Sequence, residues 1–260
     1  MATMVSPTDE RTLSVHQEHE FLKKLETAGL NGELAQRVID SKCNDLATKV
    51  VRLIQNGGFE PTTSQKRARE IMGKNMFGVE EAIKYFGVNP SRQQLAVLSE
   101  ILFSEAVLEQ AKDTHILEAV FPLSILEVRG KVQDKGLFYN QEWYNKEPFA
   151  KEYGEVAWQL VRKTPVDDSL SKDWKEQRAL IGKDDEVPTA QVMVYTIIGY
   201  FLATGERLFE KVCVRASSLR SDGHRVFVGF FDSRGLSVDS YWDDYRDGGV
   251  GLASARKVQS

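Results

Sequence analysis

Cysteine is scarce in this chain, with only Cys43 and Cys213 among 260 residues. Two cysteines so far apart give no disulfide framework, so a reducing compartment is expected. Each reads as a small buried apolar residue. Long apolar runs are missing too. The longest, Val192 to Ala203, falls short of the ~20 residues that span a bilayer and reads as a buried helix. Residues Met1 to Glu10 have neither a basic start nor an apolar core, unlike a signal peptide. A cytoplasmic protein without membrane contact is therefore expected. Nor is there an excess of cations: 34 Lys+Arg stand against 38 Asp+Glu, a net charge of −4. That balance gives no electrostatic reason to expect a nucleic-acid partner.

Residues suited to catalysis are equally sparse. Of the four histidines, only His16 and His19 are neighbours, at i and i+3, and no third metal ligand accompanies them. His115 falls at a strand start and His224 in a turn. Cys213 has no neighbouring Cys or His to lower its pKa. A nucleophile elbow, a phosphate loop and zinc-ligand spacings are all missing. The expectation is a protein that is not an enzyme and holds neither metal nor cofactor.

What the chain does contain falls into two parts. Residues 1 to about 12 read as disordered. Phe21, Leu22, Leu25, Leu30, Leu34, Val38 and Ile39 then recur at three- and four-residue spacing, with Gly29 and Gly32 dividing two helices. Leu46, Val50, Leu53 and Ile54 predict another, ending at Gly57-Gly58. Ser64 is a plausible N-cap for a helix to Gly73. Val79–Phe86, a stronger helix after Asn89-Pro-Ser91 with Leu95, Leu98, Ile101 and Leu102 as its apolar face, and a helix after Ser104 follow. From His115 the character changes. Ile116–Phe121 and Ser124–Arg129 read as strands, Val156–Val161 as a short amphipathic piece and Trp174–Ile181 as a helix. Trp143, Trp158 and Trp174 read as core residues or loop anchors. Pro188 opens the most apolar helix. Val212–Ala216 and Arg225–Phe231 read as strands joined by the Ser221-Asp-Gly-His224 turn. The expected class is α+β, with a helical region over 1–112 and a second domain over 113–260.

The C-terminal end is the most distinctive stretch. From Asp232 to Gly249 it is almost entirely Asp, Ser, Tyr, Gly and Arg around Trp242. Such a composition suits recognition: aromatics give rigid contact area, and small polar residues give adaptable hydrogen bonds. Leu236, Val238, Trp242, Val250 and Leu252 read as the scaffold. Phe230, Ser233, Ser237, Asp239, Ser240, Tyr241, Asp243, Asp244, Tyr245, Arg246 and Asp247 read as the ligand-binding face.

The order of strand, aromatic loops, helices and strand-rich tail resembles the C-type-lectin-like fold of the variable proteins of bacterial diversity-generating retroelements. It also resembles their relatives in the formylglycine-generating-enzyme group. Glu186-Val-Pro-Thr-Ala-Gln191 through Thr204-Gly-Glu-Arg-Leu208 is similar to their proline-led helix before the final strands. Gly251-Leu-Ala-Ser-Ala-Arg256 is similar to their closing strand. The resemblance implies a C-type-lectin-like domain over 113–260 with a variable-type segment at 227–256. Mutation of template adenines would spread Asn-type codons to Tyr, Asp, Ser, Gly, His and Arg, the set found between Ser233 and Gly249. A non-catalytic receptor for a macromolecular ligand, most simply a protein, is then implied. The helical region would serve docking or homo-oligomer assembly.

Two other readings are open. Residues 80–98 are similar to a helix-turn-helix, with Arg92, Gln93 and Gln94 placed to read bases. Against a DNA-associated regulator, residues 1–135 hold 17 Lys+Arg and 19 Asp+Glu. A calcium-dependent carbohydrate binder would draw oxygens from Asp239, Asp243, Asp244 and Asp247, but their spacing is not that of a 12-residue calcium loop.

Overall fold

A computed structural model of the chain describes residues 13–41, 46–47, 50–51 and 63–257. The expectations for residues 1–12, Cys43, Leu53, Ile54 and the Gly57-Gly58 stop lie outside the described residues. The chain divides into two compact units, Met1–Pro61 and Thr62–Ser260.

The first unit contains α1 (Val15–Thr27) and α2 (Gly32–Ile39). Ser14 and Gln17 close a capping box at the start of α1, and Asn31 Oδ1 accepts from the Leu34 amide at the start of α2. Both satisfy amides that have no partner inside the helix.

The second unit mixes helices and sheets, so the chain is α+β. Its elements are β1 (Thr63–Ser64), α3 (Gln65–Met72), β2 (Met76–Phe77), α4 (Val79–Phe86), α5 (Arg92–Val97), β3 (Glu100–Ile101), α6 (Glu105–Ala111), β4 (His115–Val120), α7 (Ile125–Lys131), α8 (Pro148–Lys151), β5 (Ala157–Arg162), α9 (Trp174–Arg178), β6 (Asp185–Glu186), α10 (Ala190–Thr204), β7 (Cys213–Leu219), β8 (Arg225–Asp232), β9 (Gly235–Tyr241), β10 (Val250–Leu252) and β11 (Ala255–Arg256). Three sheets result, ordered β1-β3, β2-β4-β5-β11-β6 and β10-β7-β8-β9.

Helix α10 organises the core. Every residue from Ala190 to Tyr200 is buried, as a helix apolar all round requires. It packs on β4 of the five-stranded sheet and on β7 and β8 of the four-stranded one. Its N-cap is Thr189, whose hydroxyl accepts from the Val192 amide. Pro188 therefore precedes the helix and does not occupy its first turn.

The boundary expected at 112 is corrected. Residues 63–112 build the same core as the rest of the second unit. Phe77 and Phe86 pack on Tyr195 of α10, with ring centroids 5.9 and 4.6 Å apart. Strand β2 pairs in parallel with β4 through Phe77 and Glu118. Periodicity reveals a helix but not which core it faces, and so the division was misplaced.

Two elements are also corrected. Ser124–Arg129 is not a strand but the opening of α7. The Ser124 amide donates to Glu127 Oε2 and the Glu127 amide to Ser124 Oγ, at 2.8 and 3.2 Å. This reciprocal cap outweighs the strand preference of the β-branched residues. Helix α5 stops at Val97, short of the apolar face expected to run to Leu102. Ile101 instead lies in β3, opposite Thr63, while Leu95 and Leu102 are exposed.

Candidate recognition surface

Alternation along β9 decides which residues face out. Leu236, Val238 and Ser240 point inward; Ser237, Asp239 and Tyr241 point outward. Across the β8–β9 ladder Tyr241 lies opposite Arg225, Asp239 opposite Phe227 and Ser237 opposite Gly229. The inner face, with Val214, Ala216, Val226, Val228, Leu236 and Val238, joins the main core. The outer face carries a second, small apolar cluster of Cys213, Phe227 and Val250, covered by Tyr245.

Tyr245 belongs to the loop 242–249, which crosses that outer face. Distant groups hold the loop down. Arg225, nearly buried on β8, grips the Asp243 carboxylate with Nε at 2.8 Å and Nη2 at 3.2 Å, and donates through Nη1 to Ser217 O. Its guanidinium also stacks 3.7 Å from the centre of the Trp174 ring. The Trp174 amide donates to Asp243 O at 2.8 Å, and the Ser171 amide to Asp247 O at 3.0 Å. Arg246 bridges Asp173, the N-cap of α9, at 2.6 Å and Glu176 in its first turn at 2.7 Å. The Tyr245 hydroxyl and the Gly249 amide both donate to Asp247.

Beneath the loop Arg215 is completely buried. It donates to Lys172 O at 3.0 Å and to Gln177 Oε1 at 2.9 Å, and also to Tyr245 O. Burial pushes its pKa down, and Asp243 works in the opposite sense. A buried cation met by carbonyl oxygens ties three chain segments to one point. Gln177 extends the tie by donating to Ser169 O and Val250 O.

The expected display set thus separates into groups. Phe230, Ser233, Asp239, Tyr241 and Asp244 are exposed, and Ser237 is half-buried at the surface. Asp243, Tyr245, Arg246 and Asp247 reach the surface but are held by internal partners. Ser240 was expected to face a partner and does not: it is buried, because its place in the alternation turns it toward the core. Trp242 is corrected in the opposite direction. It was expected among the scaffold residues, yet it is 53% exposed, and Tyr241 beside it is 48% exposed. The strand ends at Tyr241, and Trp242 rests edge-on against His224 at 4.0 Å between centroids. Tyr241 packs on Tyr245 at 4.1 Å.

The sequence pointed to Trp174 as a core residue or loop anchor but did not reveal the bracing residues Arg215, Arg225, Asp173 and Glu176. One signal was available: Asp173 and Glu176 have capping-box spacing, and the box is formed. Nothing local marked Arg246 as the partner of both carboxylates.

Removing the main brace should therefore loosen the loop. Arg225→Ala is expected to cost roughly 1–3 kcal/mol. It should also speed hydrogen exchange at the Ser171 and Trp174 amides, with less effect on Val228. Equal acceleration at all three amides would argue against a local brace.

The other candidate chemistries are placed as follows. Cys213 is buried, and burial, then Asp239 and Asp247, push its thiol up, away from the reactive thiolate. His115 is buried and held neutral, its pKa lowered to about 4 by burial and by Arg256, Arg162 and Lys163. Gln94, one of the proposed base readers, bonds to the Ser91 amide in the cap of the six-residue α5. Among the described residues no group of three or more His, Cys, Asp and Glu side chains is disposed to hold a metal ion. No helix among them is long and apolar enough to cross a membrane.

Compared with protein-family models, curated proteins and solved structures, the chain matches none.

Proposed function

We propose that this chain is a non-catalytic recognition protein. Its binding surface is the outer face of the four-stranded sheet together with the loop 242–249. One observation carries the reading: a loop crossed by ion pairs and a buried arginine leaves Tyr241 and Trp242 about half exposed. Exposed aromatics on a fixed frame suit binding, since little conformational entropy remains to be lost when a partner docks. Clustered exposed aromatics also mark interaction sites more often than solvated loops.

The C-type-lectin-like, retroelement-variable reading is part of this proposal. The exposed positions Ser233, Asp239, Tyr241 and Asp244 and the half-buried Ser237 belong to the residue set that adenine mutagenesis generates, whereas the buried Leu236, Val238, Val250 and Leu252 do not. Sequencing the locus tests it. The expected finding is a near-copy of the coding sequence for 227–256 beside a reverse-transcriptase gene, differing at adenines. A locus without such a copy removes diversification and leaves recognition standing.

Recognition itself is tested by selecting a random-peptide phage library on the immobilised full chain. Binders are expected, and Tyr241→Ala and Trp242→Ala should each weaken them by about tenfold or more. Binders indifferent to both substitutions, or no binders at all, would remove this surface from consideration. The first unit is assigned to docking or assembly, a role supported by the exposed Leu22 and Ile39 of α1 and α2.

A further inference from the structure

The charges of the recognition surface are not symmetrically disposed. Between Arg225 and Gly249 the chain has three cations, Arg225, Arg234 and Arg246. Each is paired with a carboxylate of the chain: the buried Arg225 with Asp243, and at the surface Arg234 with Asp232 at 2.8 Å and Arg246 with Asp173 and Glu176. Arg215, below the loop, is fully buried. The carboxylates of the same stretch are not all used in this way. Among the described residues Asp239 accepts only from the neighbouring Ser240 amide. Asp247 accepts from the Tyr245 hydroxyl and the Gly249 amide, both neutral donors. Asp244 is exposed at the turn beyond Trp242. The outward field is therefore that of unpaired carboxylates set among aromatic rings.

Position reinforces composition. Asp239 and Tyr241 leave the same face of β9, two residues apart. Tyr241 meets Tyr245, which is bonded to Asp247, and the Phe230 ring lies beside Gly249. Aromatic faces attract cations, and Asp239, Asp244 and Asp247 add formal negative charge beside them. A guanidinium or ammonium group finds both attractions here, while an acidic group meets the repulsion of these carboxylates.

Resting on the recognition reading above, we infer that the partner is a polypeptide presenting Arg or Lys side chains to this surface. The aromatic rings take the cation by its face, and Asp239 and Asp244 take it by charge. The pairing of every arginine in the segment with a carboxylate of the chain is what makes the surface selective for charge sign as well as for shape.

The same phage selection reads this out separately. Arg and Lys are expected to be enriched and Asp and Glu depleted among the selected peptides. A synthetic basic peptide from the selection should bind the full chain more weakly as salt is raised. The double variant D239N/D244N should lose about tenfold in affinity for it. Both positions are exposed and outside the core, so folding is expected to survive, as circular dichroism would verify. Binders that need Tyr241 and Trp242 but show no basic bias would overturn the charge inference and leave recognition intact. So would binders indifferent to D239N/D244N. Binders that need neither aromatic, or an empty selection, overturn both.

Discussion

Glu118→Gln is expected to make the protein more stable at pH 8 while changing little at pH 4.5. Glu118 lies in the middle of β4, wholly buried beneath α10, between Phe77 on β2 and Gln159 on β5. Burial raises its pKa from 4.5 to about 8, against a smaller opposing effect of the Thr196 hydroxyl. Tyr195, the other titratable group beside it, donates its hydroxyl to Ala119 O, and its pKa is raised well above its usual value by burial and by Glu118. The geometry is that of a neutral acid. Thr196 Oγ1 is 2.5 Å from Glu118 Oε1 and 2.8 Å from Val192 O. The threonine hydroxyl has one proton and serves one acceptor. When Glu118 is protonated its O–H donates to Oγ1, and Oγ1 donates to Val192 O, which accounts for both contacts.

Below pH 4.5 the carboxyl is protonated in the folded and unfolded chains alike, and its full contribution to stability is present. As the pH rises the unfolded chain releases its proton first. Stability then falls by about 1.4 kcal/mol per pH unit until the folded group titrates near 8. The whole loss is on the order of 5 kcal/mol. Glutamine keeps a donor for Thr196 without a titrating proton, so it should abolish this slope. Denaturant unfolding of both proteins at pH 5, 6, 7 and 8 measures it. Parallel pH profiles would show that Glu118 does not hold a proton in the fold.

Gly235→Ala is expected to destabilise the second unit by about 3 kcal/mol or more. Gly235 opens β9 with φ +105°, a conformation L side chains rarely adopt. An added Cβ would lie 2.4 Å from Phe138 C and 2.6 Å from Tyr139 N, both backbone atoms that no rotamer change can move. The strand would have to withdraw. With it would go the bonds from the Leu236 amide to Leu137 O and from the Tyr139 amide to Leu236 O, at 2.8 and 3.0 Å. Tyr241 and Asp239 lie on the same strand, so binding should suffer together with stability. Gly248→Ala is the control. Its Cβ would meet only Ser171 Oγ, at 3.7 Å, and a change within about 0.5 kcal/mol is expected. Equal midpoints for the two variants in urea would refute the close-approach argument.

Both predictions concern groups whose importance is invisible locally. Glu118 in Ile116–Phe121 reads as one polar residue in an apolar strand, which is ordinary for a half-exposed strand. Its burial comes from α10, more than seventy residues further along the chain (Thr196 is 78 positions away). Nothing in its near neighbours marks Gly235 as a point of close approach; only the arrival of residues 137–139 makes it one.

The same contrast runs through the recognition surface. Composition by itself determined that the C-terminal stretch is rich in aromatic and small polar residues. Apolar character determined that Leu236 and Val238 are scaffold. Apolar content determined that 192–203 is a buried helix, and caps at Ser64 and Ser104 and the Ser221–His224 turn placed their elements. These are properties of residues and their near neighbours, which the chain carries wherever it is folded. Tertiary structure alone decided that Trp242 stays out against His224 and that residues 63–112 belong to the C-terminal core. It also decided that Arg215 and Arg225 are buried and Arg246 is paired with Asp173 and Glu176, while Asp239 and Asp244 remain exposed. The physical reason is range: alternation and capping act over a few residues, whereas burial and charge pairing depend on which distant segments meet.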